Sequence, residues 1–197
     1  IARAADLLLA SKRPGLFAGW GAVDALPQLT EIAEFLQAPV ATTLQGQSGF
    51  PATHPLHAGF SFGPHAAPAS RNAFADCDAL LAVGTRFGEI ATGSFGVTVP
   101  ENLVHIDINP QVFDKNYPAK VALEGDAAAV LQRLTFELRA RGAARPAGSG
   151  PQEQIRRDKQ AYREEWSAHN GKGRVNPARF FDELRKLKAA GETFDLI

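Results

Sequence analysis

Gly84, Arg86 and Asp107 stand at the ends of two short apolar runs, 79–83 (ALLAV) and 103–108 (LVHIDI). Their types suit a nucleotide. A glycine lets a ligand approach the backbone closely, a guanidinium matches phosphate oxygens, and a carboxylate accepts hydrogen bonds from ribose hydroxyls. The same residues also fit a tight strand exit, a surface salt bridge and a helix cap, and spacing alone leaves both readings open. Gly19-Trp20-Gly21 follows another short run at 15–18 and supplies half of a dinucleotide fingerprint. Asp24 stands where the third glycine of that pattern would fall, so a plain β-to-α turn also fits. Asp24 itself reads as the cap of the next helix. His54, His57 and His65 match no common zinc spacing, and nearby prolines break any helix that would align them, so no metal site is expected.

These residues need strands to carry them. Runs of about five apolar residues, bounded by Gly, Asn and Pro, read as strands buried on both faces, which a parallel sheet requires. Strands are expected at 15–18, 39–43, 79–83, 103–108 and 120–123. Apolar residues at helical spacing fill 1–11, 26–36 and 127–141, with Asp126 as a cap before the last. Short helical pieces are expected at 68–75 and 110–116. Between them, 44–64 is rich in Gly, Pro, Ser and His without periodicity, and reads as a long loop lying over a ligand or a neighbouring domain. Regular alternation of strand and helix predicts a doubly wound, Rossmann-like parallel sheet.

The composition shifts at 142–151 (GAARPAGSGP), a linker by its Gly, Pro and Ser content. A charged helix follows at 152–169, then a loop at 170–174. Asn176-Pro177 opens another helix, with Phe180, Phe181, Leu184 and Leu187 on its apolar side. The expected organisation is 1–141, a linker at 142–151, and a helical tail at 152–197 whose last residues, 192–197, read as half a strand. A chain that starts without Met and stops inside a strand pattern is expected to be a fragment.

Of the 197 residues, 45% are hydrophobic and 21% charged, the profile of an ordinary soluble globule. Lys plus Arg and Asp plus Glu both number 21, so nothing points to nucleic acid or an anionic membrane. Cys77 is the single cysteine, which excludes an intrachain disulfide and a cysteine-based cluster. No apolar stretch nears the ~20 residues of a membrane span, and no signal peptide opens the chain. Cytoplasm is the expected compartment.

The motifs Arg13-Pro14, Gly19-Trp20-Gly21, PVATTLQGQSGFP, HPLHAGFSFG, DALLAVGTRFGEIATG, VHIDINP and EGDAAAVL occur in that order over the first two thirds of the chain. Together they resemble the central domain of thiamine-diphosphate-dependent enzymes of the acetolactate synthase type. The segment VNPARFFDELRKL resembles the lead-in to that family's diphosphate-binding domain. The resemblance implies three domains in the order pyrimidine-binding, central, diphosphate-binding. Thiamine diphosphate and Mg2+ then lie between the outer two, across a homodimer or homotetramer interface. The activating glutamate and the magnesium motif belong to those outer domains, so this chain is expected to hold no catalytic residue.

In such enzymes the central domain binds FAD structurally, binds an adenine nucleotide, or binds nothing. The resemblance carries FAD contacts onto Gly19, Gly21, Thr43, Leu44, Gly59, Phe60, Gly84, Arg86, Asp107, Ile108 and Asp126. Two departures stand out. Flavin-dependent relatives read RFDDRVTG where this chain reads RFGEIATG, which places Gly88 and Ile90 at an acidic and a basic position. Trp20 also puts an indole where the family has something small. The expected function is the central, non-catalytic domain of an enzyme that joins or decarboxylates 2-oxo acids such as pyruvate. The alternatives are a stand-alone nucleotide-binding or regulatory module of the same fold, or the central domain of a 2-oxo acid decarboxylase with no bound nucleotide.

Overall fold

The computed structural model describes residues 1–169 and 171–193. The chain forms two compact units, the first comprising Ile1–Arg157 and the second beginning at Asp158. The strand expected at 192–197 falls largely on residues outside those described.

Six strands build the first unit: β1 (Pro14–Ala18), β2 (Val40–Thr42), β3 (His57–Phe60), β4 (Ala79–Val83), β5 (Leu103–Asp107) and β6 (Val121–Glu124). All pair in parallel, in the order β3-β2-β1-β4-β5-β6. This is the doubly wound sheet expected from the alternation, and β1 and β4 are buried along their whole length. Successive side chains face opposite sides of the sheet. Leu16, Leu81, Val83, Val104 and Ile106 therefore meet helices α1 (Ala2–Ala10), α2 (Leu26–Leu36) and α5 (Ala127–Arg141) through Leu8, Leu29, Ile32, Leu131 and Leu134. Phe17, Leu80, Ala82 and Leu103 face the other way, against Phe62, Phe74 and Phe87, with Phe74 ending α3 (Pro68–Phe74). Both faces are covered, which is why these strands read as unbroken apolar runs.

Three expectations need correction. β3 lies inside 44–64, the stretch expected to be a long loop. It pairs only with β2, through a register shift at Val40/Ala41, and of its four residues only Ala58 is buried. An edge strand of that kind carries no continuous apolar run. Asp24 caps nothing. A short 3-10 helix, Trp20–Ala25, intervenes, and α2 starts after Ala25 without a side-chain cap. The segment expected to close the sheet at 120–123 is the sixth strand, shifted to Val121–Glu124. Asp126, by contrast, accepts from the Ala129 amide at 2.9 Å and caps α5.

Residues 142–151 are tied to the first unit by directional bonds. Arg145 donates through Nη2 to the Ser11 carbonyl at 2.6 Å and through Nη1 to that of Lys12 at 3.0 Å. Gln37 ends α2 in the left-handed region, and its Oε1 accepts from the Gly148 amide at 2.9 Å and from Gln152 Nε2 at 2.5 Å. The strap leads into α6 (Gln152–Ala168), whose Ile155 is buried in the second core layer.

In the second unit, Asn176 caps α7 (Pro177–Ala189), accepting from Ala178 at 2.9 Å, as the Asn-Pro pair predicts. Phe180 and Phe181 are about half exposed. Among the described residues no helix is long and apolar enough to cross a membrane.

Candidate nucleotide site

β1 and β4 are neighbours from which the chain winds in opposite directions across the sheet. Beyond their carboxyl ends lies the crevice that such a reversal opens. It is a cavity of about 640 Å³ lined by residues from both strand exits, from Thr43 and Gln45 after β2, and from Asp107 and Asn109 at the end of β5. Small-molecule sites commonly measure about 300–1,000 Å³.

The two strand exits touch backbone to backbone. The Gly19 amide donates to the Val83 carbonyl at 2.8 Å and the Gly21 amide to that of Gly84 at 3.1 Å. A Cβ on Gly19 would fall on the Gly84 carbonyl, 2.7 Å from its carbon. Gly84 has φ +59°, and a Cβ there would meet the Gly21 backbone, with the Ala22 nitrogen 2.6 Å away. These glycines are thus required first by the packing of one loop on another, whatever the crevice holds.

Of the residues named from the sequence, Gly19, Gly21, Thr43, Gly84, Arg86 and Asp107 line this cavity together. Thr43 Oγ1 accepts from the Gly46 amide at 3.0 Å, which shapes the turn after β2. Asp107 accepts from the Asn109 amide at 2.9 Å. Leu44 and Ile108 are exposed side chains outside the lining. Gly59 lies in edge strand β3 at φ +140°, and Phe60 faces a separate cavity of about 40 Å³ with His65 and Thr92. Asp126 is occupied as a helix cap. Trp20, Thr85, Glu89 and Asn109 also line the crevice. The exit position of Thr85 and Asn109 was a signal for both, whereas Glu89 needed the short helix α4 (Glu89–Thr92), which turns it back toward the strand ends.

The Arg86 guanidinium has no ion-pair partner among the described residues, although its backbone is held, since Asn116 Nδ2 donates to the carbonyls of Arg86 at 3.1 Å and Phe87 at 3.0 Å. The Arg86 guanidinium and the Asp107 carboxylate thus line one crevice with close-packed strand-exit backbone. Among the described residues no group of three His, Cys, Asp or Glu side chains is placed to hold a metal.

His105 supports the same turn from beneath. It is fully buried in β5, and its Nε2 lies 2.7 Å from the Thr85 carbonyl. A carbonyl only accepts, so Nε2 carries the proton and Nδ1 is left a buried acceptor without a partner among the described residues. Burial holds the imidazole below its ordinary range, against the opposing pull of the Thr85 bond and the Asp107 and Asp114 carboxylates. The unfolded chain therefore takes up a proton that the folded one resists. This contribution to stability is complete above about pH 6.5 and is lost as pH falls toward the lowered value. A urea midpoint that drops below about pH 6.5 in wild type, with a flatter slope in His105→Gln, is the expected result. Equal slopes would assign the pH dependence elsewhere.

Residues 1–134 match the family described as thiamine pyrophosphate enzyme, central domain. The chain belongs to that family. This thiamine pyrophosphate enzyme central domain is 41% identical over 141 residues to a probable acetolactate synthase large subunit of Methanocaldococcus jannaschii, covering 70% of this chain and 24% of the relative. It is 39% identical over 142 residues to an acetolactate synthase of Mycobacterium avium, covering 71% and 23%. A third relative, an acetolactate synthase large subunit of Parasynechococcus marenigrum, is 35% identical over 165 residues, covering 82% and 26%. The central domain thus spans about a quarter of the length of these proteins.

Proposed function

We propose that this chain is the central domain of a larger thiamine-diphosphate- and Mg2+-dependent enzyme that joins 2-oxo acids, pyruvate first, in the manner of an acetolactate synthase. In this reading the domain contributes no catalytic group and binds FAD or an adenine nucleotide as a structural ligand. The nucleotide reading rests on one observation, an Arg86 guanidinium without an ion-pair partner among the described residues, at the crevice where the sheet reverses. The acetolactate synthase names of the relatives support the reaction class. Domains before and after this one would hold thiamine diphosphate and complete a homodimer or homotetramer.

A second reading, a central domain without a nucleotide, draws on the charges of the lining, where Glu89 and Asp107 outnumber Arg86. Titration of FAD and ADP into the full-length protein separates the two. Saturable binding supports the first reading, and absence of binding by both ligands supports the second. The reaction class is tested independently. Pyruvate consumption by the full-length protein is expected to require thiamine diphosphate and Mg2+, and the isolated 197-residue chain is expected to consume none. Turnover by the isolated chain would overturn the assignment of catalysis to the missing domains.

A further inference from the structure

The first β-to-α turn carries an indole that the fold does not use. Trp20 opens the 3-10 helix after β1 and is 67% exposed, yet it lines the same crevice as Arg86 and Asp107. A large aromatic ring left in water is costly, since each Å² of apolar surface contributes about 25 cal/mol when covered. The turn beneath it is tied down by backbone hydrogen bonds. Gly19 and Gly21 are bonded to the β4 exit, and the Ala22 amide donates to the Gly19 carbonyl at 3.1 Å. Both neighbours of Trp20 lack side chains, which leaves the faces of the ring open to a ligand. A Trp has only two side-chain torsions to fix when something settles on it.

The charge of the lining sets what a bound nucleotide would need besides Arg86. One guanidinium, Arg86, faces two carboxylates, Glu89 and Asp107, so the lining has a formal charge of −1. Such a crevice does not hold a pyrophosphate by Coulomb attraction alone. Ring-on-ring contact is indifferent to that balance, and Ile90, 64% exposed in the same lining, adds apolar surface.

We infer that Trp20 is a stacking platform for a planar heteroaromatic ring of the nucleotide that the crevice binds, either adenine or isoalloxazine. The inference rests on the nucleotide reading above and adds the group that supplies much of the affinity. Loss of a base–aromatic stack weakens binding by about 5- to 150-fold.

The test is calorimetric titration of FAD, ADP and FMN into the full-length wild-type protein and its Trp20→Ala, Trp20→Phe and Arg86→Ala variants. FAD affinity is expected to fall by the stated range in Trp20→Ala and to stay near wild type in Trp20→Phe, which keeps a ring. A parallel loss for ADP assigns the stack to adenine, and a parallel loss for FMN assigns it to isoalloxazine; either supports the platform. Raising the salt concentration should shrink the Arg86→Ala deficit by screening and leave the Trp20→Ala deficit in place. If Trp20→Ala binds FAD as tightly as wild type while Arg86→Ala binds it weakly, the platform is overturned and the nucleotide site stands. If wild type binds none of the three ligands, the nucleotide reading fails and the platform with it.

Discussion

Gly84→Ala is expected to destabilise this domain by about 2–6 kcal/mol, a large part of the ~5–15 kcal/mol that holds a typical domain folded. Two costs combine. Gly84 sits at φ +59°, and holding a residue with a Cβ in a sparsely populated region costs about 1–3 kcal/mol. The new Cβ would also fall on the Gly21 backbone. Overpacking of a tight site costs about 1–3 kcal/mol more, and backbone cannot rotate away as a side chain can. A Cβ on Gly19 would instead fall on the Gly84 carbonyl, without the torsional cost, so Gly19→Ala should be damaging as well. Gly88→Ala is the control, because its φ is −69° and the nearest atom to a new Cβ is Arg86 Nε at 3.6 Å. The measurement is the urea midpoint of the transition that unfolds this domain. Gly84→Ala at the wild-type midpoint would show that the two strand exits are not in backbone contact.

Arg86→Ala is expected to weaken FAD and ADP binding to the full-length protein by about 10- to 150-fold, the value of one charge-assisted hydrogen bond of about 1.5–3 kcal/mol. The guanidinium has no ion-pair partner among the described residues, so its removal should leave stability near wild type and report on the ligand alone. Asp107→Ala is expected to cost less if the carboxylate meets a ribose hydroxyl, and it removes one of the two negative charges that oppose the phosphates. Glu101→Ala lies before β5, at the opposite end of the strand from the crevice, and should leave affinity unchanged. Wild-type affinity in Arg86→Ala would reduce the β4 exit to a packing feature.

The elements that the sequence alone determined are those whose signal is local. β4 and β5 are continuous apolar runs because helices or loops cover both faces of a central parallel strand. Asp126 and Asn176 cap helices because a short acceptor before a helical stripe satisfies free amides in that stripe's first turn. Arg86 and Asp107 could be placed at strand ends for the same reason, and with them the place of the crevice.

Only the tertiary structure decided what depends on residues far apart in the chain. Gly19 and Gly84 are 65 positions apart, and their contact exists because β1 and β4 are neighbours in register, Ala18 opposite Val83. β3 was hidden because an edge strand is bonded on one side only and half exposed, so His57–Phe60 needs no apolar run. Residues 142–151 have the composition of a linker, yet Gln37 and the carbonyls of Ser11 and Lys12 supply bonding partners more than 100 positions away. His105 looked like one more residue of an apolar strand. Its role under Thr85 follows from a hydrogen bond across two neighbouring strands, a distance that spacing along the chain does not encode.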